Sequence, residues 1–299
     1  MRDGRSLTSD LVAAVRAYYS ACPADLDTVH DPLAAELLPR AMAWPAQLVR
    51  RMPPLARAGH LVAGMFSMGL SYLIPLRTRA IDAALAHDVE RGTRQLVILG
   101  AGLDTRAFRL PLLADCRVFE VDHPNTQDPK RAKVAGHLPA CRELRFCAID
   151  FERQGLSQVL EAAGFDRQAP AFWIWEGVTM YLSREALEAT ANALAELSAP
   201  GSAVACTYMP PAVMRRSLTA AGGSLLGVIG EPIIGAIDSA AIADVFAGHG
   251  FEPESDRGAE DWAAHYWGPR EVPFVRGYER LLVARKTRPG QAGSSSGPG

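Results

Sequence analysis

The sequence predicts an α/β fold, with helices covering both faces of a doubly wound, mostly parallel sheet. From residue 95 onward, short apolar runs alternate with helical patterns, which is typical of parallel strands joined by crossover helices. Residues 96–99 form an unbroken apolar run, as in a strand buried on both faces. Gly100 and Gly102 follow this run, and their lack of a side chain lets the backbone approach a ligand closely.

The strands and helices of this sheet can be placed in order along the chain. The predicted strands are 95–99, 117–121, 144–149, 171–175, 202–208, 251–255 and 278–285. The predicted helices between them are 103–109, 126–136, 153–163, 184–198 and 239–249. The last strand follows the sixth through a long link that we expect to be non-helical. This link favours an antiparallel final strand over another right-handed crossover.

The first 76 residues look helical throughout and form a predicted N-terminal cap. Helical spacing occurs at 8–20, a short helix is expected at 32–38 with Asp31 as its cap, and more helical pattern follows at 45–70. A further helix is expected to begin at Arg77 and to run to about residue 90. We therefore divide the chain into a cap (1–76), a sheet domain (77–288) with a covering insertion at about 209–238, and a disordered tail (289–299).

Composition excludes several classes of partner. The net charge of −2 indicates no general affinity for nucleic acid. The five cysteines are odd in number and lack paired spacing, which predicts a reducing cytoplasm and no metal site. The uncharged run 61–76 is shorter than the roughly 20 residues of a membrane span, so we expect a buried cap helix there and no membrane partner.

The Gly-Ala-Gly turn at 100–102 admits several interpretations. A dinucleotide fingerprint needs a third glycine where Thr105 stands, which argues against a nicotinamide-dependent oxidoreductase. A phosphate loop needs Gly-Lys-Ser/Thr, which is absent. A nucleoside without a pyrophosphate fits, and a tight turn without any ligand stays open.

Acidic residues at successive strand ends favour a ligand. Glu120 and Asp122 share one strand face about 20 residues after the turn, where ribose hydroxyls are bound in such folds, although an exposed pair at a strand end is the ordinary alternative. Asp150, with the backbone N–H of Phe151, could meet an adenine, and Glu176 ends the fourth strand. Because buried carboxylates are costly unless paired, these acids indicate a cationic ligand rich in hydrogen-bonding groups.

Several motifs together resemble those of one enzyme family. They are Arg77-Thr-Arg, Leu99-Gly-Ala-Gly-Leu-Asp-Thr-Arg106, Phe119-Glu-Val-Asp-His-Pro124, Asp150-Phe151 and Glu176-Gly-Val-Thr-Met-Tyr-Leu182. The chain resembles the S-adenosylmethionine-dependent methyltransferases of the leucine carboxyl methyltransferase family, and within it the bacterial branch that includes polyketide-tailoring O-methyltransferases. The resemblance implies a seven-stranded class I methyltransferase sheet with a helical cap and S-adenosyl-L-methionine as the cofactor.

The resemblance also implies roles for individual residues. Arg77 matches the arginine that pairs with the methionine carboxylate of the cofactor, with Arg79 as second choice. Asp122 matches the acid that binds the ribose, with Glu120 as second choice. The remaining residues implied in cofactor binding are Gly100, Gly102, Asp104 and Arg106 in the loop, Asp150 and Phe151 at the adenine, and Glu176 near the methionine amino group.

The methyl acceptor decides whether a base is needed. A carboxylate is already a nucleophile at neutral pH, whereas a phenol or alcohol benefits from a base. His123, His265 and Tyr208 are the candidate bases, although a role in a strand-end turn, on the surface or cap, or in packing at a strand end is the ordinary explanation of each in turn. Without an evident base, we expect O-methylation of a carboxylate or acidic hydroxyl on a small-molecule acceptor of secondary metabolism. C-methylation, or chemistry other than methyl transfer such as cyclisation, is the alternative.

Overall fold

The computed structural model describes residues 7–23, 29–66, 70–150, 153–213, 234–267 and 277–287. Its centre is a seven-stranded sheet with the order β3-β2-β1-β4-β5-β7-β6. The strands are β1 (Gln95–Leu99), β2 (Arg117–Asp122), β3 (Glu143–Ala148), β4 (Ala171–Trp175), β5 (Ala203–Tyr208), β6 (Phe251–Gly258) and β7 (Arg280–Lys286). The predicted fold class is therefore confirmed.

Helices cover both faces of this sheet and build the N-terminal cap. Those that precede the sheet are α1 (Leu7–Ser20), α2 (Ala34–Leu37), α3 (Arg40–Arg51), α4 (Leu55–Phe66) and α5 (Leu70–Glu90). Those that follow β1 are α6 (Arg106–Arg109), α7 (Pro124–Val134), α8 (Leu156–Ala162), α9 (Arg184–Leu197), α10 (Ser239–Gly248) and α11 (Ala259–Trp267). No helix in these described ranges is long and apolar enough to cross a bilayer.

The alternation of side chains along each strand supplies one hydrophobic core on each side of the sheet. Val97 and Leu99 pack towards α8 and α9, together with Trp173. Leu96 and Ile98 point the other way and pack towards α5 and α11. Because successive side chains of a strand alternate between faces, an unbroken apolar run is what a two-sided core requires.

The register of the parallel strands brings their carboxyl ends to one edge of the sheet. Leu99, the last residue of β1, lies beside Val121 of β2 and Trp175 of β4. The residues that come next, Gly100 and Glu176, therefore leave the sheet at the same level. This alignment creates the candidate site.

The last strand is antiparallel to both neighbours, as predicted. The link that precedes it was predicted incorrectly, because residues 259–267 of the link form helix α11. Its three alanines and the two acids of its first turn favour a helix, so the sequence analysis overlooked a local signal. Burial of Trp262 against the core beside α5 stabilises the helix from outside the segment.

The cap differs from the sequence prediction at α5. This helix begins at Leu70 rather than at Arg77 and contains Pro75, so it runs through the predicted domain boundary at residue 76. Ala13 and Ala17 of α1 pack in one cluster with Leu103 of the glycine turn. The cap thus contacts the loop that follows β1 directly. Most of the predicted insertion, residues 214–233, and all of the predicted tail lie outside the described residues.

Candidate functional site

The turn after β1 is tightly enclosed on two sides. Gly100 and Gly102 have φ values of 63° and 51°, in the left-handed region that favours glycine. A Cβ on Gly100 would lie 2.9 Å from Cγ2 of Val178, and a Cβ on Gly102 would lie 3.1 Å from Cβ of Ser9. Both backbone conformation and lack of space therefore demand glycine at these positions.

Asp122, at the end of β2, fastens this turn to the neighbouring strand. Its Oδ2 accepts a hydrogen bond from the backbone N–H of Gly102 at 2.5 Å, and its Oδ1 accepts one from the N–H of His123 at 2.6 Å. Burial raises the pKa of Asp122, and these two backbone donors offset only part of the rise. Each carboxylate oxygen keeps a second lone pair for another donor.

Glu120 is two residues earlier but has a different environment. Its side chain is fully buried, and Oε2 accepts from Nζ of Lys130 at 2.5 Å. Burial raises its pKa to about 7, although Lys130 opposes the shift. Its Oε1 has no hydrogen-bond partner in the part of the chain that the structure describes. The structure thus pairs Glu120 with α7 and leaves Asp122 at the glycine turn.

Glu176, which follows β4, lies between two arginines. Its carboxylate accepts from Nε of Arg77 at 2.9 Å and from Nη1 of Arg106 at 2.9 Å. Nη1 of Arg77 also donates to Glu279 at 2.5 Å, just before β7. Burial alone would raise the pKa of Glu176, but Arg106 and Arg77 more than offset it and hold the pKa below its usual value.

These contacts continue into a larger buried ion network. Nε of Arg106 donates to Asp82 at 2.7 Å, and its Nη1 contacts Asp104. Burial alone would raise the pKa of Asp104, but Arg106 and then Arg16 bring it down to about 2. Nη2 of Arg106 is buried without a partner among the described residues.

The cap completes the ion network through Asp31. Nε of Arg16 donates to this carboxylate at 2.9 Å, and Nη2 donates to the carbonyl of Leu103 at 2.5 Å. Nε of Arg109 lies 3.9 Å from Oδ2 of Asp31, and its Nη1 lies 2.7 Å from Oδ2 of Asp82. The ion network therefore holds four arginines and five acids: Arg16, Arg77, Arg106, Arg109, Asp31, Asp82, Asp104, Glu176 and Glu279. One negative charge remains in excess.

Asp150 comes two residues after the end of β3, whose last residue, Ala148, lies beside Asp122. The N–H of Ile149 donates to the carbonyl of Asp122 at 2.9 Å, which fixes the approach of this strand end. The Asp150 side chain is partly exposed, with Oδ2 3.4 Å from Nε of Arg153. Phe151, the other residue expected at an adenine, lies outside the described residues.

The three candidate bases occupy separate places. His123 caps α7, where Nδ1 accepts from the N–H of Asn125 at 3.2 Å. His265 is exposed on α11, with its ring against Tyr266. Tyr208 is fully buried, and burial raises its pKa to about 12.

The hydroxyl of Tyr208 is held by three polar groups. It lies 2.7 Å from Oγ of Ser239, donates to Oδ2 of Asp256 at 2.7 Å, and accepts from Nε of Arg280 at 3.2 Å. A phenol with such a raised pKa stays protonated at neutral pH. Its proton is also committed to Asp256, which opposes a role as a general base.

The sequence analysis missed Asp82, Glu279 and Lys130, and it gave no site role to Arg16, Asp31 and Arg109. Asp82 lies on α5 but contacts Arg106 and Arg109 of α6, so its position five residues after Arg77 gave no local signal. Glu279 reaches Arg77 only because β7 returns antiparallel beside β5. No local pattern indicates that long-range pairing.

The chain is similar in sequence to one family of known proteins. The family model described as leucine carboxyl methyltransferase matches residues 10–195. A protein from Mycobacteroides abscessus, whose name provisionally assigns it as an S-adenosyl-L-methionine-dependent methyltransferase, is 36% identical over 208 residues, which cover 68% of this chain and 67% of that protein. The matches span about two thirds of the length of the curated relatives, between 65% and 67% in those most similar.

Solved structures support the fold. A protein of the DUF574 family from Streptomyces avermitilis has a TM-score of 0.56 and 17% identity, covering 78% of this chain and 91% of that one. A structure from Thermobifida fusca, provisionally described as a methyltransferase, has a TM-score of 0.53 and 20% identity, covering 78% and 88%. At these identities the likeness concerns the fold alone.

Proposed function

Because the chain belongs to the leucine carboxyl methyltransferase family, a family of S-adenosyl-L-methionine-dependent methyltransferases, we propose that it methylates a carboxylate or acidic hydroxyl oxygen of a small-molecule acceptor. The observation that carries the choice of acceptor is the state of the three candidate bases. His123 accepts a hydrogen bond from a backbone N–H, His265 is exposed on α11, and Tyr208 is a buried phenol whose pKa is raised to about 12. An acceptor that is already anionic needs none of them.

The residues present fit the cofactor by charge. S-adenosyl-L-methionine carries a sulfonium, an ammonium and a carboxylate, and so has one net positive charge. The ion network has one excess negative charge at the edge where the glycine turn lies. Nη2 of Arg106, which has no partner among the residues that the structure describes, is a buried donor available to a carboxylate.

We assign roles to the chain's own residues on this basis. Asp122 would accept from the ribose hydroxyls with the lone pairs that its backbone donors leave free. Arg77 and Arg106 would hold the methionine carboxylate, and Glu176 the ammonium group, with these charges already oriented by one another. Asp150 and the backbone of Phe151 would meet the adenine. Glu120, which is paired with Lys130, would position the strand rather than contact the ligand.

The cofactor supplies the electrophilic methyl group, whose bond to sulfur breaks as a bond to the acceptor oxygen forms. The protein's contribution is to hold the acceptor oxygen in line with that bond and to exclude water. We assign acceptor recognition to the cap (1–76) and to the insertion at about 209–238. No disulfide joins the cysteines that the structure describes, which supports our placing the reaction in the cytoplasm.

The test is a turnover assay with methyl-labelled cofactor and panels of carboxylic acids, phenols, and carbon or nitrogen nucleophiles. We expect label in base-labile methyl esters or in phenyl ethers, with equimolar S-adenosylhomocysteine. Label confined to carbon or nitrogen would overturn the choice of acceptor. Binding of S-adenosylhomocysteine without turnover on any panel would favour a binding role or another reaction, such as cyclisation.

A further inference from the structure

Helix α3 exposes larger apolar side chains than it buries. Its inward face against α1 carries small residues, Ala43, Ala46 and Val49. Trp44 and Leu48 lie on its outer side and are 57% and 37% exposed. This arrangement reverses the usual distribution in a helix that only packs on a core, where the bulky apolar residues face inward.

The exposed side chains continue from α3 into α4. Trp44 and Leu48 are four residues apart and lie on one side of α3, and Met52 follows the last helical residue, Arg51. Leu55 comes next, and its N–H donates to the carbonyl of Met52 at 2.9 Å. The exposed apolar stripe comprises Trp44, Leu48, Met52, Leu55, Leu61 and Val62, each at least 37% exposed.

This stripe lies in a stretch that contains no acid. From Glu36 to Asp82 the sequence contains no intervening aspartate or glutamate, although the whole chain has a net charge of −2. Arg40, Arg50 and Arg51 are exposed beside the stripe. They form no ion pair with any other residue that the structure describes.

We propose that the exposed apolar stripe and its flanking arginines form a docking surface for an anionic phospholipid bilayer. Exposed tryptophan and leucine with arginines beside them suit the interfacial region of a bilayer, where the apolar side chains enter the acyl boundary and the arginines extend to anionic headgroups. The sequence analysis expected no membrane partner because it considered only spanning segments. Docking at the bilayer surface does not require a spanning segment.

The charges disfavour a second copy of the chain as the occupant. A two-fold interface would place the same stretch against itself and bring arginines together with no acid between them to pair with. A bilayer with anionic lipid supplies the missing negative charge. This inference is independent of the methyl acceptor and of the cofactor site.

The test is co-sedimentation of the full chain with vesicles. We expect binding to vesicles of equimolar phosphatidylcholine and phosphatidylglycerol, little binding to phosphatidylcholine alone, and loss at high salt. Trp44 should report insertion by a blue shift of its fluorescence, since Trp173, Trp175 and Trp262 are already buried and the partly buried Trp267 packs against the core. Absence of binding to the anionic vesicles at low salt would overturn the proposal.

Variants distinguish binding through this stripe from non-specific adsorption to vesicles. Arg50→Gln with Arg51→Gln should weaken partitioning roughly 30-fold, because each arginine near an anionic surface contributes separately. Trp44→Ser with Leu48→Ser should weaken co-sedimentation with the anionic vesicles, because two apolar side chains no longer enter the bilayer. Leu138→Ser is the matched control, since Leu138 is 93% exposed outside the stripe and should leave binding unchanged.

All these positions are exposed, so the melting temperature should stay within a few degrees of wild type and confirm folding. Equal binding by the wild type and both double variants would refute the docking surface. The proposal is also refuted if the chain does not bind vesicles but forms a dimer that Trp44→Ser dissociates. The stripe would then be covered by a second copy of the chain.

Discussion

The Nε of Arg77 lies 2.9 Å from Oε1 of Glu176, although the two residues are 99 positions apart in the chain. Arg77 belongs to α5, which leads from the cap into the sheet domain, and Glu176 follows the central strand β4. Their contact joins the cap-side helix to the sheet edge that carries the glycine turn. The ion network should therefore couple cofactor binding to stability.

The first prediction concerns Glu279, the second acid that contacts Arg77. Glu279→Gln removes one of the two acids on Arg77 and should lower the free energy of unfolding by about 3 kcal/mol, because it leaves a buried guanidinium short of charge. Urea unfolding measures the change. Glu188→Gln is the control: its pair with Arg184 is exposed and should cost at most about 0.5 kcal/mol. Equal losses in the two variants would contradict a special role for burial.

The second prediction concerns Asp122. Asp122→Asn keeps the size of the side chain but removes its charge, and it should weaken S-adenosylhomocysteine binding by about 1–3 kcal/mol, or roughly 5- to 150-fold. Calorimetric titration gives the dissociation constant. Asp128→Asn, on the exposed side of α7, should leave it unchanged. An unaltered constant for Asp122→Asn would move the ribose contact to another group.

The third prediction concerns stability in acid. The pKa of Asp104 falls from 3.8 to about 2 on folding. The folded state therefore binds fewer protons than the unfolded state between these values. The resulting stability is present above the unfolded pKa and is lost as the pH falls towards 2.

The magnitude of this acid effect is about 2 kcal/mol, since each pKa unit corresponds to about 1.4 kcal/mol. Asp104→Asn should be less stable than wild type near neutral pH, and the difference should shrink as the pH approaches 2. Denaturant titrations over this range measure both slopes. A difference that stays constant with pH would show that the carboxylate's charge is not what stabilises the loop.

The fourth prediction concerns space at the glycine turn. Gly100→Ala meets both a left-handed backbone and Cγ2 of Val178 at 2.9 Å, so it should destabilise the fold by about 2 kcal/mol or more. Gly92→Ala shares the positive φ but has no atom within 4 Å of the new Cβ, so it should cost only about 1 kcal/mol. Adding Val178→Ala to Gly100→Ala should recover part of the loss. No recovery in the double variant would assign the whole effect to the backbone.

The sequence by itself determined the strands, because each parallel strand is a local apolar run bounded by turn residues. All seven were located to within three residues, and the antiparallel last strand was also predicted correctly. Asp122 and Glu176 could be proposed as site residues because the position after a parallel strand is fixed by that strand.

The tertiary structure alone decided which charges meet. Glu120 and Asp122 are alike in sequence, yet Lys130 of α7 pairs with the first while the N–H of Gly102 donates to the second. The tertiary structure likewise decides where α11 packs, because Trp262 is buried in the core beside α5. Local patterns encode backbone conformation, whereas the partner of a buried charge depends on which distant segments the sheet brings together.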